Sequence, residues 1–487
     1  MTLKLHNQLT HQVDEFKPQN ESVVTLYTCG PTVYNYLHVG NWSSYIYWDL
    51  LVRLLQFQNF RVDRVMNITD VGHLVSDESD GEDKLQKKAI SEGKTAWDVA
   101  ALYTEDFLKG MKRLGLIDPT HITKATDFIP QQLELVRTLK EKGFTYQIDD
   151  GIYFDVSKFP TYADFAELDL DALKAGARVE FNPEKRNHSD FALWKFTPRD
   201  ENRDMEWETP DDLVELPGDT PLMGFPGWHL ECSAMAMSLL GNTLDIHTGG
   251  IDHIPVHHTN EIAQSEAATG EQFSNYWLHN NHLKVDGTKI SKSLGNGYTL
   301  DDLEAKGFSP LDFRLFVLQG HYRNEGNFSF DNLQAAKNRL ANWRNVAALR
   351  HQVHDTLRND DEKSTDDKSV SLYATSQAIV EALNDDLNAP EALKIIDDAF
   401  SRIVSRSLDD IHQHALIDLL ETIDDLLGLQ LLTTSPDVKD DVKQLIIERE
   451  RARDNQDWAK SDKLRDVIEQ HGVKVLDSSR GTIWEYK

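Results

Sequence analysis

The chain has 487 residues, a formal net charge of −30 and only two cysteines, Cys29 and Cys232. The length predicts three or four domains, and the charge argues against a protein that coats nucleic acid without specificity, because each phosphate contact needs a cation. Two cysteines exclude a disulfide framework. Residues 1–6 lack the apolar core of a signal peptide, and no run approaches the roughly 18 apolar residues of a membrane span. We therefore expect a cytoplasmic protein with no membrane partner.

The first predicted unit is a strand, a turn and a helix. The β-branched run 23–27 predicts a strand, which the turn at Gly30-Pro31 ends, and apolar periodicity predicts a helix over residues 42–56. Backbone N–H groups at such a helix N-terminus commonly bind phosphate. Here the turn also carries a thiol, Cys29, and an imidazole, His38. A single histidine near a turn is more often structural, so this motif alone is a weak signal.

A second strand, predicted over residues 60–66, follows this helix and ends at Asn67-Ile68-Thr69-Asp70. Strand, helix and strand in this order predict an α/β fold with a doubly wound parallel sheet, whose ligands bind at the carboxyl ends of the strands. Further along we expect a solvated acidic loop over residues 76–83, helices over 95–114 and 129–142, a hairpin over 148–154, and a polar, irregular insertion to about residue 216.

The chain is predicted to return to the sheet after a turn-rich connector, residues 216–221. Beyond residue 312 the pattern is nearly all helical, with breaks at 359–369 and near 433–436 that we interpret as domain edges. Between the connector and these helices, residues 224–235 are predicted to lead into a helix, followed by a strand over 244–247, a helix over 255–268, and a strand over 283–285 before a loop with two lysines.

The pair His257 and Glu261 is a candidate metal site. Residues four apart share one helix face, and two thiolates, those of Cys29 and Cys232, would complete a tetrahedral zinc site. The neighbouring His258, three residues before Glu261, is nearly as well placed. Most His/Glu pairs on helices are structural, but the position of the only two cysteines in glycine-flanked segments at the predicted active edge favours a metal here.

The loop that contains Lys289 and Lys292 is a candidate polyphosphate site, because two cations among serines and glycines can close over phosphates. As an isolated pattern, two lysines three apart usually belong to a solvated surface.

Together these motifs resemble the class I aminoacyl-tRNA synthetases. Residues 38–41, His-Val-Gly-Asn, resemble the His-Ile-Gly-His signature, and residues 289–293, Lys-Ile-Ser-Lys-Ser, resemble the Lys-Met-Ser-Lys-Ser signature. Further blocks at residues 29–34, 67–70, 227–235 and 257–266 are similar to the cysteinyl-tRNA synthetase family, and the similarity extends through 385–393 to 481–484.

The resemblance implies a Rossmann-like catalytic domain with an insertion, followed by a helical bundle and a small anticodon-binding module. The expected domains are catalytic half 1 over residues 1–125, the insertion over 126–216, catalytic half 2 over 217–310, the stem-contact region and bundle over 311–432, and the module over 433–487.

The same resemblance implies ligation of L-cysteine to its tRNA through a cysteinyl-adenylate, with one Zn²⁺ per chain and Mg²⁺ bound with ATP, by a monomer. It implies that catalysis uses His38, Lys289 and Lys292, and that zinc is held by Cys29, Cys232, His257 and Glu261. Cysteine is expected to be enclosed by Thr32, Thr69, Trp228 and His247, and ATP is expected to contact Gly40, Asn41, Gly249, Gly250, Asp252 and Lys292. The expected contacts with tRNA are Trp458, Asp462, Arg465 and Trp484.

Some positions depart from the family pattern. Asn41 replaces the second signature histidine, and Pro255 is displaced by one position from the histidine pair, which leaves open whether His257 or His258 is the ligand. Core packing remains an alternative role for Trp228 and for each of the four C-terminal residues.

Three alternatives to this function also remain at this point, two of them enzymatic. One is a ligase that passes cysteine to a small-molecule amine by the same adenylate chemistry, and the other is a zinc metallohydrolase built on the helix of His257 and Glu261. A zinc-ordered scaffold without activity is a third.

Overall fold

The computed structural model describes residues 2–72, 83–168, 182–200, 202–214, 221–352, 367–406, 408, 411–478 and 481–487. The predicted acidic loop lies almost wholly outside the described residues, and so do most of the predicted connector at 216–221 and most of the predicted linker at 359–369. None of the helices in the described ranges combines the length and the hydropathy that a membrane span requires.

The described chain forms two compact units, of which the first comprises Lys4–Leu300 and Tyr322–Gly326. Its strands are β1 (Lys4–Asn7), β2 (Gln12–Glu15), β3 (Val23–Thr28), β4 (Arg61–Ile68), β5 (His121–Lys124), β6 (Thr145–Ile148), β7 (Gly151–Phe154), β8 (Phe191–Phe196), β9 (Trp207–Glu208), β10 (Met223–Pro226), β11 (Leu244–Gly250), β12 (Ser274–Asn280) and β13 (Leu283–Val285). Its helices are α1 (Val39–Phe57), α2 (Lys84–Glu92), α3 (Ala96–Arg113), α4 (Ile129–Glu141), α5 (Trp228–Leu240) and α6 (Thr259–Thr269).

The central sheet of this unit is parallel and has the order β12-β11-β3-β4-β5. The chain builds outward from β3 through β4 to β5, then returns to β11 on the other side of β3. This reversal between β3 and β11 is a topological switch point, where the loops after neighbouring strands diverge and leave a crevice. The predicted doubly wound parallel sheet is confirmed.

The buried residues of the strands and helices explain why these segments form the core of the first unit. Strand β4 ends in five consecutive buried residues, as expected for a strand covered on both faces. Helix α1 buries 13 of its 19 residues, among them Trp42 and Trp48, which are only 2% and 1% exposed. The sheet and its helices therefore form a well-packed base for the loops at the strand ends.

The insertion is not irregular, as the sequence led us to expect. It contains a five-stranded antiparallel sheet of order β6-β7-β8-β10-β9. All six residues of β8 are buried, so its pattern lacks the polar alternation that marks a half-exposed strand. Because β10 begins at Met223, this sheet extends past the predicted boundary at residue 216.

Helix α2 was also missed. It is only nine residues long, and three of these are lysines. Two buried residues, Leu85 and Ala89, give it too weak an apolar stripe for recognition from the sequence. Asp83 caps it by accepting hydrogen bonds from the backbone N–H groups of Leu85 and Gln86.

The second unit comprises Met1–Leu3, Asp301–His321 and Asn327–Lys487. It is helical, as predicted, and ends in an antiparallel hairpin of β15 and β16. Around the boundary between the two units and through the second unit the elements are α7 (Leu300–Ala305), α8 (Pro310–Leu318), β14 (Gly326–Phe328), α9 (Phe330–Ala348), α10 (Asp367–Asn384), α11 (Ala389–Val404), α12 (Gln413–Leu427), α13 (Leu431–Thr434), α14 (Asp440–Asp454), α15 (Trp458–Gln470), β15 (Val473–Ser478) and β16 (Gly481–Tyr486).

Candidate active site and metal centre

A cavity of about 1020 Å³ lies at the carboxyl ends of β3, β4 and β11. Most of the site residues that the sequence analysis selected in the first unit line it. These are Cys29, Thr32, His38, Gly40, Asn41, Thr69, Trp228, Cys232, Gly249, Gly250, Asp252, His257 and Lys289.

The four predicted metal ligands converge at the base of this cavity. Cys29 directly follows β3, Cys232 lies in α5, and His257 and Glu261 come from the start of α6 and the turn before it. One ligand atom from each of the four lies within 4.8 Å of the others, and all four residues are buried. Residues about 200 positions apart are thus brought together by the packing of α5 and α6 against the strand ends.

The turn before α6 bears on the choice between His257 and His258 that the displaced proline left open. Ile254–His258 form a single π-helical turn that leads directly into α6. His257 keeps its contact with Glu261, since its Nε2 lies 2.9 Å from Oε1. A second group, Cys29, His247, His258 and Glu261, also clusters within 4.8 Å. Only the group with His257 contains both thiols, the ligands that zinc prefers, so we retain His257.

The cluster is strongly polarised. Burial alone would raise the pKa of Glu261, but His247 and His257 hold this pKa at about 2. Burial would lower the pKa of His257, but the Glu261 carboxylate and Cys232 raise it to about 10. A hydrogen bond from Cys29 lowers the pKa of the Cys232 thiol, whereas burial raises the pKa of the Cys29 thiol itself. Glu261 and protonated His257 therefore form a buried ion pair, and a metal that bound His257 would displace the proton of its imidazolium.

His247 does not have the position that was predicted for it. It was expected to enclose an amino acid, but it is 0% exposed and is not among the residues that line the cavity. Its Nε2 lies 2.9 Å from Oε2 of Glu261, and its ring stacks on Trp277 with centroids 4.4 Å apart. It therefore orients the carboxylate of Glu261 from behind.

Further histidines surround the cluster, and the sequence analysis missed them. Nδ1 of His229 lies 3.0 Å from Nδ1 of His257, and Nε2 of His279 lies 2.7 Å from Nδ1 of His258. Hydrogen bonds of this kind fix the orientation of metal-binding imidazoles. The sequence contained one indication of these residues, because seven of the chain's 19 histidines lie between positions 229 and 282.

His38, which also lines the cavity, is the N-cap of α1. Its Nδ1 accepts a hydrogen bond from the backbone N–H of Asn41 at 3.3 Å, and the Asn41 side chain accepts one from the backbone N–H of His38 at 3.1 Å. Asn41 thus closes a capping box. Burial lowers the pKa of His38.

The lysine loop lies beside this helix N-terminus. Lys289, Ile290 and Ser291 line the cavity. A Cβ added at Gly40 would come within 2.8 Å of the Ile290 side chain, so Ile290 packs closely over the glycine of the first signature. Lys292 begins a short 3₁₀ turn, and its side chain lies outside the described part of the structure.

Gly30, which follows β3, makes a close contact with Asn67 near the end of β4. Its N–H donates to the Asn67 side chain at 2.7 Å, and a Cβ on Gly30 would lie only 1.6 Å from the Asn67 backbone oxygen. Beyond this contact Thr32 and Thr69 form a parallel bridge, which carries both threonines to the cavity.

A Gly30→Ala variant is therefore expected to lose activity. The backbone has to shift to accept the methyl group, and this shift moves Cys29 away from Cys232. For the cysteine-dependent ATP–pyrophosphate exchange that the family resemblance implies, we expect a rate at least about a hundredfold lower, because misplacing reacting groups by about 1 Å has an effect of this size. The exchange assay, together with circular dichroism to verify folding, measures this. A folded variant with wild-type exchange would contradict the geometry.

In the second unit, the predicted tRNA-binding residues divide into two groups. Trp458 begins α15, is 57% exposed, and has the Arg453 guanidinium 5.8 Å from its ring centroid. Arg465 pairs with Asp462 at 3.2 Å on the same helix. All three of the predicted residues on α15 are accessible.

Trp484 differs from the prediction. It is 5% exposed and packs in the core of the C-terminal module, with residues such as Val442, Ile468 and Val475. Its backbone exchanges two hydrogen bonds with the side chain of Gln352. This corrects the stacking role that was predicted for Trp484, since an indole buried in a core cannot stack on an exposed base.

Comparison with known proteins agrees with this arrangement. A family model described as the class I (C) tRNA synthetase catalytic domain matches residues 15–338, and one described as the cysteinyl-tRNA ligase anticodon binding domain matches residues 435–484. Cysteine–tRNA ligase of Treponema denticola is 38% identical over 100% of both chains. Cysteine–tRNA ligase 1 of Burkholderia lata is 40% identical over 99% of this chain and 96% of its own.

Solved structures show the same fold at low sequence identity. Methionyl-tRNA synthetase of Mycobacterium tuberculosis in complex with methionyl-adenylate has a TM-score of 0.59 at 14% identity, covering 84% of this chain and 92% of that one. A leucyl enzyme from Agrobacterium radiobacter K84, in a ternary complex with tRNA, has a TM-score of 0.62 at 12% identity and covers 87% of each chain. With both family models matched in order and full-length relatives at about 40% identity, the chain is a member of the cysteine–tRNA ligase family, within the class I aminoacyl-tRNA synthetases.

Proposed function

We propose that this protein activates L-cysteine with ATP to cysteinyl-adenylate and transfers the cysteinyl group to the terminal ribose of its tRNA, with Zn²⁺ held by Cys29, Cys232, His257 and Glu261. The observation that carries the proposal is the convergence of these four side chains within 4.8 Å at the base of the cavity. Its other side carries the two signature segments of the family. One cavity thus combines a site for a thiol with a site for a triphosphate.

The chemistry of the donor set fits zinc. Two sulfur atoms, an imidazole nitrogen and a carboxylate oxygen, all from buried residues, form a mixed set of four donors of the kind that zinc accepts. Bound there, zinc would supply a soft Lewis acid, which binds the thiolate of cysteine far better than the hydroxyl of serine. His229 and His247 would hold the ligands His257 and Glu261 in orientation.

Thr32, Thr69 and Trp228 are the groups that we propose around the amino acid. The Trp228 ring lies 4.4 Å from the His257 ring, directly beside the proposed metal, and it closes this side of the cavity. The Thr69 hydroxyl donates to Glu231 at 3.2 Å and accepts from Asn67 at 3.1 Å, so its position is fixed. These residues would exclude water and leave room for one small side chain.

The adenosine of ATP is assigned to the end of β11 and the turn that follows it. Gly250 has open space in the direction of a Cβ, so a ligand can approach its backbone. A Cβ at Gly249 would lie 2.5 Å from the ring of His253, which explains why this position is also glycine. Asp252, which pairs with His282 at 3.2 Å, offers a carboxylate to ribose hydroxyls. Gly40 and Asn41, at the N-terminus of α1, would approach the phosphates.

Adenylate formation needs no covalent enzyme intermediate. The cysteine carboxylate attacks the α-phosphate and pyrophosphate leaves, so the protein contributes alignment and charge stabilisation. His38, Lys289 and Lys292 are assigned to the charge that develops on the phosphates. Mg²⁺ would accompany ATP and bind mainly to phosphate oxygens and water.

Recognition of tRNA is assigned to the C-terminal module. Trp458 offers an exposed aromatic face, and Asp462 and Arg465 offer hydrogen bonds to unpaired bases. Of the four residues predicted from the sequence, only Trp484 is omitted from this proposal. We also propose a monomer in the cytoplasm, where the two free cysteines would stay reduced.

One set of measurements on the purified wild type tests the proposal. We expect about one zinc per chain, ATP–pyrophosphate exchange that depends on cysteine, and at least about a thousandfold lower exchange with serine, since sites that require a specific polar group discriminate this strongly. Cysteinylation of tRNA is expected, with no transfer to an amino sugar. Transfer to the amine alone would favour the small-molecule ligase, and zinc without exchange would favour the metallohydrolase or the scaffold.

A further inference from the structure

Tyr27 is a buried tyrosine in the central strand β3 that no role proposed so far uses. Its backbone pairs with His247 of β11 on one side and with Val65 of β4 on the other. The residue is 0% exposed and is not among those that line the catalytic cavity. Its side chain therefore cannot touch a substrate, and any role in the reaction has to act through a neighbouring residue.

The hydroxyl of Tyr27 is left unsatisfied. It is buried and has no hydrogen-bond partner of suitable geometry in the part of the chain that the structure describes. Buried tyrosines usually find a partner for this group, because a buried polar group without one costs free energy. An orphaned hydroxyl in the central strand of the catalytic sheet therefore needs an explanation.

The surroundings of this hydroxyl are the proposed metal ligands. Tyr27 and Cys29 are two positions apart at the end of β3, so they face the same side of the sheet, and both belong to one core cluster with Cys232. The ring of His247 lies 5.0 Å from the Tyr27 ring. Burial raises the pKa of Tyr27 well above its usual value, and negative charge on Cys232 and Cys29 raises this pKa further. The hydroxyl thus keeps its proton and is a donor beside two sulfur atoms.

The charge of the proposed zinc site explains what a donor does here. Two thiolates and a carboxylate carry three negative charges against the two positive charges of Zn²⁺, and the thiolate of a bound cysteine adds a fourth. Excess charge is costly in a buried site, and a hydrogen bond to a ligand atom draws some of it away. A neutral thiol is a weak acceptor, whereas a thiolate accepts a charge-assisted bond of about twice the usual strength.

We propose that Tyr27 is a positioning residue of the zinc site, whose hydroxyl donates a hydrogen bond to the Cys232 thiolate and thereby strengthens the binding of zinc and of the substrate thiolate. The inference rests on the proposed function and deepens it, because it adds to the four ligands a buried donor that tunes one of their sulfur atoms.

Tyr27→Phe tests the inference, since it removes the hydroxyl and keeps the ring. Competition with a chromophoric chelator on the purified holoenzyme is expected to show a zinc affinity about tenfold lower, as for other outer-shell partners. In the exchange assay KM for cysteine is expected to rise about as much, with little change in kcat, because substrate binding is what weakens. With Co²⁺ in place of zinc, the sulfur-to-metal charge-transfer band is expected to move to longer wavelength, since a thiolate without a hydrogen bond releases electrons more readily.

Thermal melting separates this role from simple packing. With a chelator present, loss of an unpaired buried hydroxyl is expected to leave the melting temperature of Tyr27→Phe unchanged or higher. With zinc, the variant is expected to melt below the wild type, because a tighter ligand stabilises the folded state more. Tyr276→Phe is the matched control. Tyr276 lies on β12 of the same sheet and donates to the Glu15 carbonyl at 2.8 Å, so its loss is expected to leave zinc affinity and KM for cysteine unchanged.

Wild-type zinc affinity in Tyr27→Phe, or an unchanged cobalt spectrum, would overturn the inference. A melting temperature lowered equally with and without zinc would assign the hydroxyl to packing, and a higher KM for cysteine at unchanged zinc affinity would assign it to the substrate; either result overturns it as well. These outcomes leave the proposed function intact, provided that the wild type holds zinc and exchanges with cysteine. A wild type without zinc would instead refute the proposed metal site, and the inference with it.

Discussion

A Cys232→Ser variant is expected to purify with less than about one tenth of the zinc of the wild type and to lose at least about a hundredfold in cysteine-dependent exchange. Losing even an outer-shell partner of a metal site commonly costs ten- to a hundredfold, and this change replaces a ligand. The hydroxyl of serine nearly matches the thiol in size but is a hard and weakly acidic ligand. Because the serine side chain is slightly smaller than that of cysteine, the substitution causes no steric clash at this buried position on α5, and circular dichroism verifies that the variant is folded.

Metal analysis by mass spectrometry and the exchange assay measure the two effects. The control is Ser238→Ala on the same helix, which removes a hydroxyl bonded to the carbonyl of Ala234 and should leave zinc and exchange at wild-type levels. Cys29→Ser and Glu261→Gln are expected to repeat the loss of zinc. A Cys232→Ser protein with full zinc content and full exchange would refute the metal site assigned here.

Replacing Lys292 by alanine is expected to lower exchange by about 10²–10³-fold while zinc content stays at the wild-type level. Removing one group that stabilises the charge of a transition state typically has this effect. Lys289→Ala is expected to cost about tenfold, since we assign Lys289 a supporting role. In Cys232→Ser, by contrast, zinc content and exchange are expected to fall together. The two variants therefore distinguish the residues proposed to bind zinc from those proposed to bind the triphosphate.

Steady-state exchange at saturating ATP, with zinc measured on the same preparations, provides the test. Lys17→Ala is a suitable control, because Lys17 has a side chain that is 78% exposed and pairs only loosely with Glu15 at 3.9 Å. Intact cysteine-dependent exchange in Lys292→Ala would mean that the lysine loop does not serve the triphosphate, and the adenylate mechanism proposed here would be wrong.

The catalytic fold was predictable because its signals are local. A β-branched strand, a Gly-Pro turn and an apolar helix face indicated the β3–α1 unit, and the carboxyl-end rule then placed Cys29 beside the other strand ends. The metal ligands could be proposed because the only two cysteines flank the same predicted edge. The resemblance to a known family added roles that no pattern of spacing could supply.

The remaining features depend on tertiary packing that the sequence does not encode locally. From the sequence, His247 was predicted to lie at a strand end and to contact the substrate. Its contact with Glu261 depends on how α6 packs against β11, which the sequence does not reveal. Trp484 lies in the last strand, and it packs with Ala348, the last residue of α9, and bonds Gln352, which follows α9 and lies 132 positions before Trp484. Strand β8 could not be predicted from the sequence, because a fully buried strand lacks the alternation of polar and apolar residues by which a half-exposed strand is recognised.

The hydrogen bond that caps α1 has a consequence for the chemistry of His38. Since the backbone N–H of Asn41 donates to Nδ1, that nitrogen carries no hydrogen, and the neutral ring must be the Nε2–H tautomer. Its lowered pKa keeps it neutral near pH 7. In this state the imidazole can donate a hydrogen bond to a phosphate oxygen through Nε2, but it has no spare proton to give away.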